Sequence, residues 1–171
     1  MLRWIPPVVQ VVGYSNSGKT TLICRLIPLL ARRGIRVGTL KHHAGALDLD
    51  RRGKDTWRHR EAGARVVSIA AENQSAVWYR EPRRMEELLT HYAGVDVVLA
   101  EGFKEADYPK LVVLREKEHA HLLERLTNIR AVVSWFPPDR PFFPWYGIDQ
   151  VEAVAGEVLS VLRESNGDGF A

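Results

Sequence analysis

The sequence has 171 residues, 46% hydrophobic and 26% charged, with a formal net charge of +3 and a single cysteine. That length supports one buried core rather than two. Its apolar runs, such as Val97 to Ala100, fall far short of the roughly 20 residues a membrane helix needs, and its Lys and Arg residues alternate with acids instead of forming the stripe of a nucleic-acid binder. Membrane and nucleic-acid partners are therefore not expected. The opening MLRWIPPVVQ lacks the extended apolar stretch of a secretory signal. Cys24 has no partner for an internal disulfide and is expected as a small buried hydrophobe on a helix, which fits a reducing cytoplasm.

In chain order, Val8 to Val12 reads as a strand, followed by a glycine loop and a helix. That helix carries Leu22, Leu26, Leu29 and Leu30, is kinked by Pro28 and is closed by Gly34. Ile35 to His43 is a second strand. Asp55 or Thr56 is placed to cap a short helix that Gly63 ends. Val66 to Ala71 and Ser75 to Arg80 flank the polar ENQS and predict a hairpin. Met85, Leu88, Leu89 and Tyr92 mark another helix, ending near Gly94. Val95 to Gly102 is nearly all apolar, as in a strand covered on both faces. Leu111 to Leu114, a helix around His119 to Leu126, and Ile129 to Trp135 follow. PPDRPFFP is too proline-rich for regular structure, and Asp149 is placed to cap a last helix through Val151, Val154, Val158 and Leu162. The alternation of strands and helices predicts an α/β fold, a mostly parallel twisted sheet with helices on both faces, in a single domain over 1–164 with a frayed tail over 165–171.

The stretch from Gly13 to Thr20 matches G-x-x-x-x-G-K-[ST] between a buried strand and an amphipathic helix, which is the context of a P-loop. Glycines let the backbone wrap an anion, amides point inward, and the positive end of the helix dipole faces the phosphates. Lys19 would reach the β and γ phosphates, and Thr20 would ligate Mg²⁺. In an open α/β sheet, ligands gather at the carboxyl ends of strands. Glu101 ends the strand Val95 to Gly102 and is the expected acidic partner of the metal, whereas Asp96 begins that strand on the wrong side. By the same rule Lys41, His42, His43, Asp48 and Asp50 should lie near the ligand. The adjacent histidines should point to opposite faces, and Asp50 is a candidate to contact the metal or orient a water. Arg51, Arg52, Lys54, Arg58 and Arg60 could hold a second anionic molecule. Trp135 is expected in the core, with stacking on a base as the alternative.

The segments GYSNSGKTTL, VGTLKHH, GKDTWRHREAGA, DVVLAEGFK with YPK, and NIRAVVSW, in that order, resemble the molybdopterin-guanine dinucleotide biosynthesis protein B (MobB) family of P-loop GTP-binding proteins. The resemblance implies a homodimer with weak GTPase activity that assists a guanylyltransferase, with the strands around Glu72 to Ser75 helping to form the dimer. It implies that Gly13, Tyr14, Ser15, Asn16, Ser17, Gly18, Lys19, Thr20 and Thr21 hold the phosphates of GTP. It implies further that Thr20, Glu101 and the acidic Asp50 serve Mg²⁺ and the chemistry with Lys19, and that molybdopterin is a candidate for the Arg51–Arg60 segment. No N-K-x-D guanine signature is present, so the residues alone give a nucleoside triphosphate and only the resemblance gives GTP. Two other functions fit a P-loop: a small-molecule kinase with RRGKDTWRHR as its lid, and a non-catalytic adaptor whose nucleotide sets its shape.

Overall fold

Five consecutive buried residues, Val8–Val12, form β1, which lies inside a six-stranded sheet in a computed structural model that describes residues 5–46, 50–137, 139 and 142–166. The elements in chain order are α1 (Lys19–Arg32), β2 (Val37–Lys41), α2 (Asp55–Glu61), β3 (Val66–Ala70), β4 (Ser75–Tyr79), α3 (Met85–Leu89), β5 (Val97–Glu101), β6 (Lys110–Leu114), α4 (Leu122–Arg125), β7 (Ile129–Ser134), β8 (Trp145–Gly147) and α5 (Val151–Asn166). The large sheet has the order β2-β5-β1-β6-β7-β8, and each neighbouring pair is parallel. The described residues fall into two compact units, 1–42 with 90–171, and 43–89.

In the first unit, the side-chain alternation of the strands sends Val9, Val11, Leu99 and Val113 to one face, where Leu22, Leu26 and Leu30 of α1 and Val154 and Val158 of α5 cover them. The other face carries Val12, Val112, Leu114 and Val132, with Leu122 of α4 over them. Helices thus cover both faces, but the second cover is short: a 3-10 turn (Lys117–His121) leads into the single turn of α4 where one longer helix is predicted.

Another part of that second face, around Gln10 and Lys110, is covered by backbone. Among the described residues no helix joins β5 to β6; residues 102–109 form a strap instead. The strap lies over two polar side chains that are fully buried, Gln10 of β1 and Lys110 of β6. The Gln10 amide donates to the carbonyls of Gly102 (3.3 Å) and Phe103 (2.5 Å) and accepts from the Tyr108 N–H at 3.2 Å. The Lys110 ammonium donates to the carbonyls of Ala106 (2.7 Å) and Tyr108 (3.1 Å). Burial lowers its pKa, while Asp107 and Glu105 oppose that shift. A strap has no internal ladder, so these two side chains supply hydrogen bonds to its backbone, in addition to the one from Ala106 N–H to Phe103 O at 2.9 Å. Replacing Gln10 with leucine should therefore destabilise the protein by about 1–3 kcal/mol, measured by urea denaturation; a stability equal to that of the parent would show that water serves the strap as well.

α1 ends as predicted at Gly34, whose φ is +77°, with Gly34 N–H on Ala31 O and Ile35 N–H on Leu30 O. It runs unbroken through Pro28, which is exposed, so that any carbonyl freed by the missing N–H faces water. Cys24 is also exposed, contrary to the buried position expected of it, because the inward stripe of α1 is Leu22, Ile23, Leu26 and Leu30. α5 starts one residue later than an Asp149 cap requires: Gln150 O accepts the first helical bond from Val154 N–H, and the Asp149 carboxylate instead meets Arg25 of α1 at 3.0 Å. β8 is a strand that the proline-rich stretch before it concealed.

In the second unit, β3 and β4 form the predicted antiparallel hairpin, with Val66 opposite Tyr79 and Ala70 opposite Ser75. Ala71 N–H donates to Gln74 O at 2.8 Å and closes the turn. Neither Asp55 nor Thr56 caps α2. Lys54 precedes the helix without a capping bond, and the Thr56 hydroxyl donates to Asp50 at 2.9 Å. α3 stops at Leu89, short of Tyr92. Among the described residues no helix is long and apolar enough to cross a membrane.

Candidate functional site

The carboxyl ends of β1, β2, β5 and β7 and the start of α1 bring together most of the residues singled out from sequence. Gly13 leaves β1 where a side chain cannot fit: a Cβ there would lie 2.4 Å from Val113 O and 2.8 Å from Ser17 Oγ. Asn16 takes a left-handed backbone (φ +59°), which its short polar side chain tolerates, and Gly18 does the same at φ +102° to start α1. The result is a loop that turns around the helix N-terminus. Inside it the Ser17 hydroxyl is buried and has no partner among the described residues. An orphaned buried donor in a glycine-built loop at a helix start is unusual, since buried polar groups are nearly all paired.

The Lys19 ammonium folds back to donate to Tyr14 O at 2.6 Å. Burial lowers its pKa from the ordinary lysine value; the Glu101 carboxylate pulls it back up, and the Lys104 and Lys41 ammoniums push it down. One residue on, the Thr20 hydroxyl lies 2.9 Å from both carboxylate oxygens of Glu101. Glu101 is the last residue of β5 and stands opposite Lys41 of β2 in register. Its side chain is only 12% exposed, and the Lys41 ammonium is 3.1 Å away, with a further 3.4 Å contact to the Thr20 hydroxyl. Thr20 and Glu101 are therefore adjacent. Asp96 lies at the other end of the same strand, held by Arg36 at 2.7 Å, and the guanidinium keeps its carboxyl below the usual aspartate range.

Tyr14 leans away from the loop. Its hydroxyl is 2.7 Å from His121 Nε2, and its ring lies 4.5 Å from that of His119, tilted by 42°, with the Lys104 ammonium 4.6 Å from the ring centre. Because His121 Nδ1 contacts a carbonyl, Glu118 O at 2.6 Å, it carries the proton, and Nε2 accepts from Tyr14. His42 follows β2 and sets its ring 5.1 Å from that of Phe103.

Trp135 is not a core residue. It is 52% exposed, donates its indole N–H to Ser17 O at 3.0 Å, and would contact a Cβ on Gly18 at 3.5 Å. Arg115 lies over its ring at 5.2 Å and donates to Asn16 O at 3.1 Å. An open pocket of about 440 Å³ adjoins it, lined by Ser134, Phe136, Trp145, Ile148 and Asp149 among others. Ser134 ends a parallel strand and hydrogen-bonds the Phe136 carbonyl, so the chain turns sharply there and presents the indole instead of burying it.

Asp50 belongs to the second unit. Its carboxylate is buried and accepts from Thr56 at 2.9 Å and from Arg60 at 3.4 Å. Arg51, Arg52, Lys54 and Arg58 are exposed, with Arg52 5.9 Å from the Trp57 ring centre. His43 stands beside Gly45, and Asp48 lies outside the described residues. Arg115 and Lys104 are not singled out by the sequence, and neither is the contact of Lys41 with Glu101. All three end or follow strands at the carboxyl edge, the signal that did identify Glu101.

The family model for molybdopterin guanine dinucleotide synthesis protein B matches residues 8–135. A probable molybdopterin-guanine dinucleotide biosynthesis adapter protein of Bacillus subtilis is 40% identical over 131 residues, 74% of this chain and 75% of its own length. The Escherichia coli adapter protein of the same name is 33% identical over 170 residues, covering 94% and 96%. The fold agrees with the crystal structure of Bacillus subtilis MobB at a TM-score of 0.76 and 35% identity, over 91% of this chain and 97% of that one. It agrees with a MobB homolog from Bacillus stearothermophilus at 0.73 and 32%, over 92% and 98%. Sequence, motif context and a P-loop between β1 and α1 of a parallel sheet agree, and the chain belongs to the molybdopterin guanine dinucleotide synthesis protein B family.

Proposed function

We propose that the protein binds GTP with Mg²⁺ at the Gly13–Thr21 loop and acts as a slow GTPase and adapter in molybdopterin guanine dinucleotide biosynthesis. In this reading it works in the cytoplasm as a homodimer built through β3 and β4, beside a guanylyltransferase. The observation that carries it is the cradle itself: a glycine loop around the buried, unpartnered Ser17 hydroxyl, with Lys19 at its mouth and Thr20 against Glu101. The backbone of residues 13–18 and the Lys19 ammonium would hold the phosphates, and Thr20 and Glu101 would hold the metal. When bound, the metal would neutralise charge on the terminal phosphates. Asp50, whose buried carboxylate accepts from Thr56 and Arg60 and keeps free acceptor capacity, would contact the metal or orient a water. Trp135 and the adjoining pocket offer an aromatic face for the base.

Slow hydrolysis follows from the cations at hand. An arginine on the transferring phosphate is worth about 10³–10⁵ in rate, and Arg115, at the lip of the loop, is engaged with Asn16 O and the Trp135 ring. Titrating the purified protein with GTP, ATP and their diphosphates, with and without Mg²⁺, tests the reading by calorimetry. Tighter binding of GTP than ATP, and of triphosphate with Mg²⁺ than without, is expected. Binding of no triphosphate at millimolar concentration would refute it.

A further inference from the structure

We infer that Lys41 is a built-in counter-cation: its ammonium holds the place between Thr20 and Glu101 until a divalent cation displaces it, and it then turns to the phosphates. This rests on the proposed reading of the Thr20–Glu101 pair as the metal-holding oxygens.

A carboxylate only 12% exposed at the end of a central strand needs a positive partner, because an unpaired charge out of water is costly. β2 supplies one. Lys41 is the cross-strand neighbour of Glu101 and reaches Glu101 Oε1 at 3.1 Å and Thr20 Oγ1 at 3.4 Å. The ammonium therefore bridges the same two groups to which the metal is assigned. The partnership is not locked in, since the Lys41 side chain is 57% exposed on a flexible four-carbon stem, which can swing without disturbing the fold.

A divalent cation on those oxygens would repel the ammonium at close range, so the two cannot share the position. The charge has an obvious new partner. Besides Lys41, the Glu101 carboxylate has Lys19 in its field, and Lys104 acts on Lys19 as well, an excess of positive charge that suits a polyanion. Displacement then couples metal and phosphate: the cation releases Lys41, and the phosphates receive it. Without nucleotide, the same lysine discourages a divalent cation from settling alone.

The test is Lys41→Met, with Lys41→Arg as the control that keeps the charge. Mg²⁺ binding to the nucleotide-free protein is measured by calorimetry, and Mg²⁺ with a non-hydrolysable GTP analogue is measured separately. Removing the competing charge should tighten Mg²⁺ binding to the empty protein by about tenfold, and added salt should narrow that difference. The same variant should bind the analogue several-fold more weakly, at roughly the strength of one exposed charge contact, while Lys41→Arg stays near the parent in both. Opposite signs in the two assays are the signature. Mg²⁺ binding that is weaker, unchanged or undetectable in Lys41→Met overturns the inference, as does analogue binding that is unchanged or tighter. Should the parent protein bind no triphosphate, the proposed function fails while the Mg²⁺ comparison still judges Lys41.

Discussion

Alanine at Gly13 is expected to destabilise the protein by about 3 kcal/mol and to abolish nucleotide binding. The added Cβ would lie 2.4 Å from the Val113 carbonyl oxygen, a backbone atom of β6, and 2.8 Å from Ser17 Oγ. A flexible side chain could move aside, but a carbonyl in a strand cannot move without its ladder. β6 is bonded on both sides, to β1 and β7, so the strain spreads into the middle of the sheet. Gly34→Ala is the reference. That glycine has a positive φ of 77° but nothing within 4 Å of the added Cβ, so its substitution should cost only about 1 kcal/mol of backbone strain. The difference between the two midpoints in urea isolates the clash. Equal midpoints, or a Gly13→Ala protein that still binds GTP, would mean that the loop tolerates a side chain and that close backbone approach is not its reason for carrying glycine.

How much of this was legible in the sequence divides along a physical line. Strands buried on both faces are near-continuous apolar runs, and β1, β5, β6 and β7 declare themselves that way. The P-loop is legible because glycine, lysine and threonine at fixed spacing each answer a local requirement. Glu101 could be placed by direction alone, as the acidic end of a strand that finishes at the ligand edge. The strap over Gln10 and Lys110 could not. A crossover without a helix is stabilised by two polar residues at positions that the apolar pattern reads as exceptions, and only the fold reveals that they serve carbonyls from residues 102–108.

Trp135 is obscured for a related reason. Its strand is core, and whether the next residue continues inward depends on the turn that the Ser134 hydroxyl makes with the Phe136 carbonyl. Cys24 is exposed because helix phase, not apolar neighbours, decides: Ile23 before it and Leu26 two residues on belong to the buried stripe and it does not. The surroundings of Asp50 were not legible: its carboxylate accepts from Thr56, six residues later, and Arg60, ten residues later, partners that spacing does not disclose.

Methionine in place of Lys19 should weaken triphosphate binding about a hundredfold, which corresponds to about 3 kcal/mol, while leaving the folding midpoint close to that of the parent. Among the described residues the ammonium's hydrogen-bond partner is the neutral Tyr14 carbonyl at 2.6 Å, and burial lowers its pKa from 10.5 by more than Glu101 raises it. The folded chain therefore gains little from that charge, and its removal costs little. A polyanion changes the balance, because it binds the charged form and returns what burial took away. The sign follows: affinity is complete below the lowered pKa of Lys19 and falls as pH rises through it, beginning at a lower pH than an ordinary exposed lysine would give. In Lys19→Met that alkaline fall should vanish, leaving weak binding that is flat over the same range. A variant that binds GTP as tightly as the parent, or one that keeps the alkaline fall, would assign the phosphate contact to Lys41 or Lys104, whose ammoniums share the same field. The pH profile, more than the size of the loss, identifies which lysine grips the phosphates.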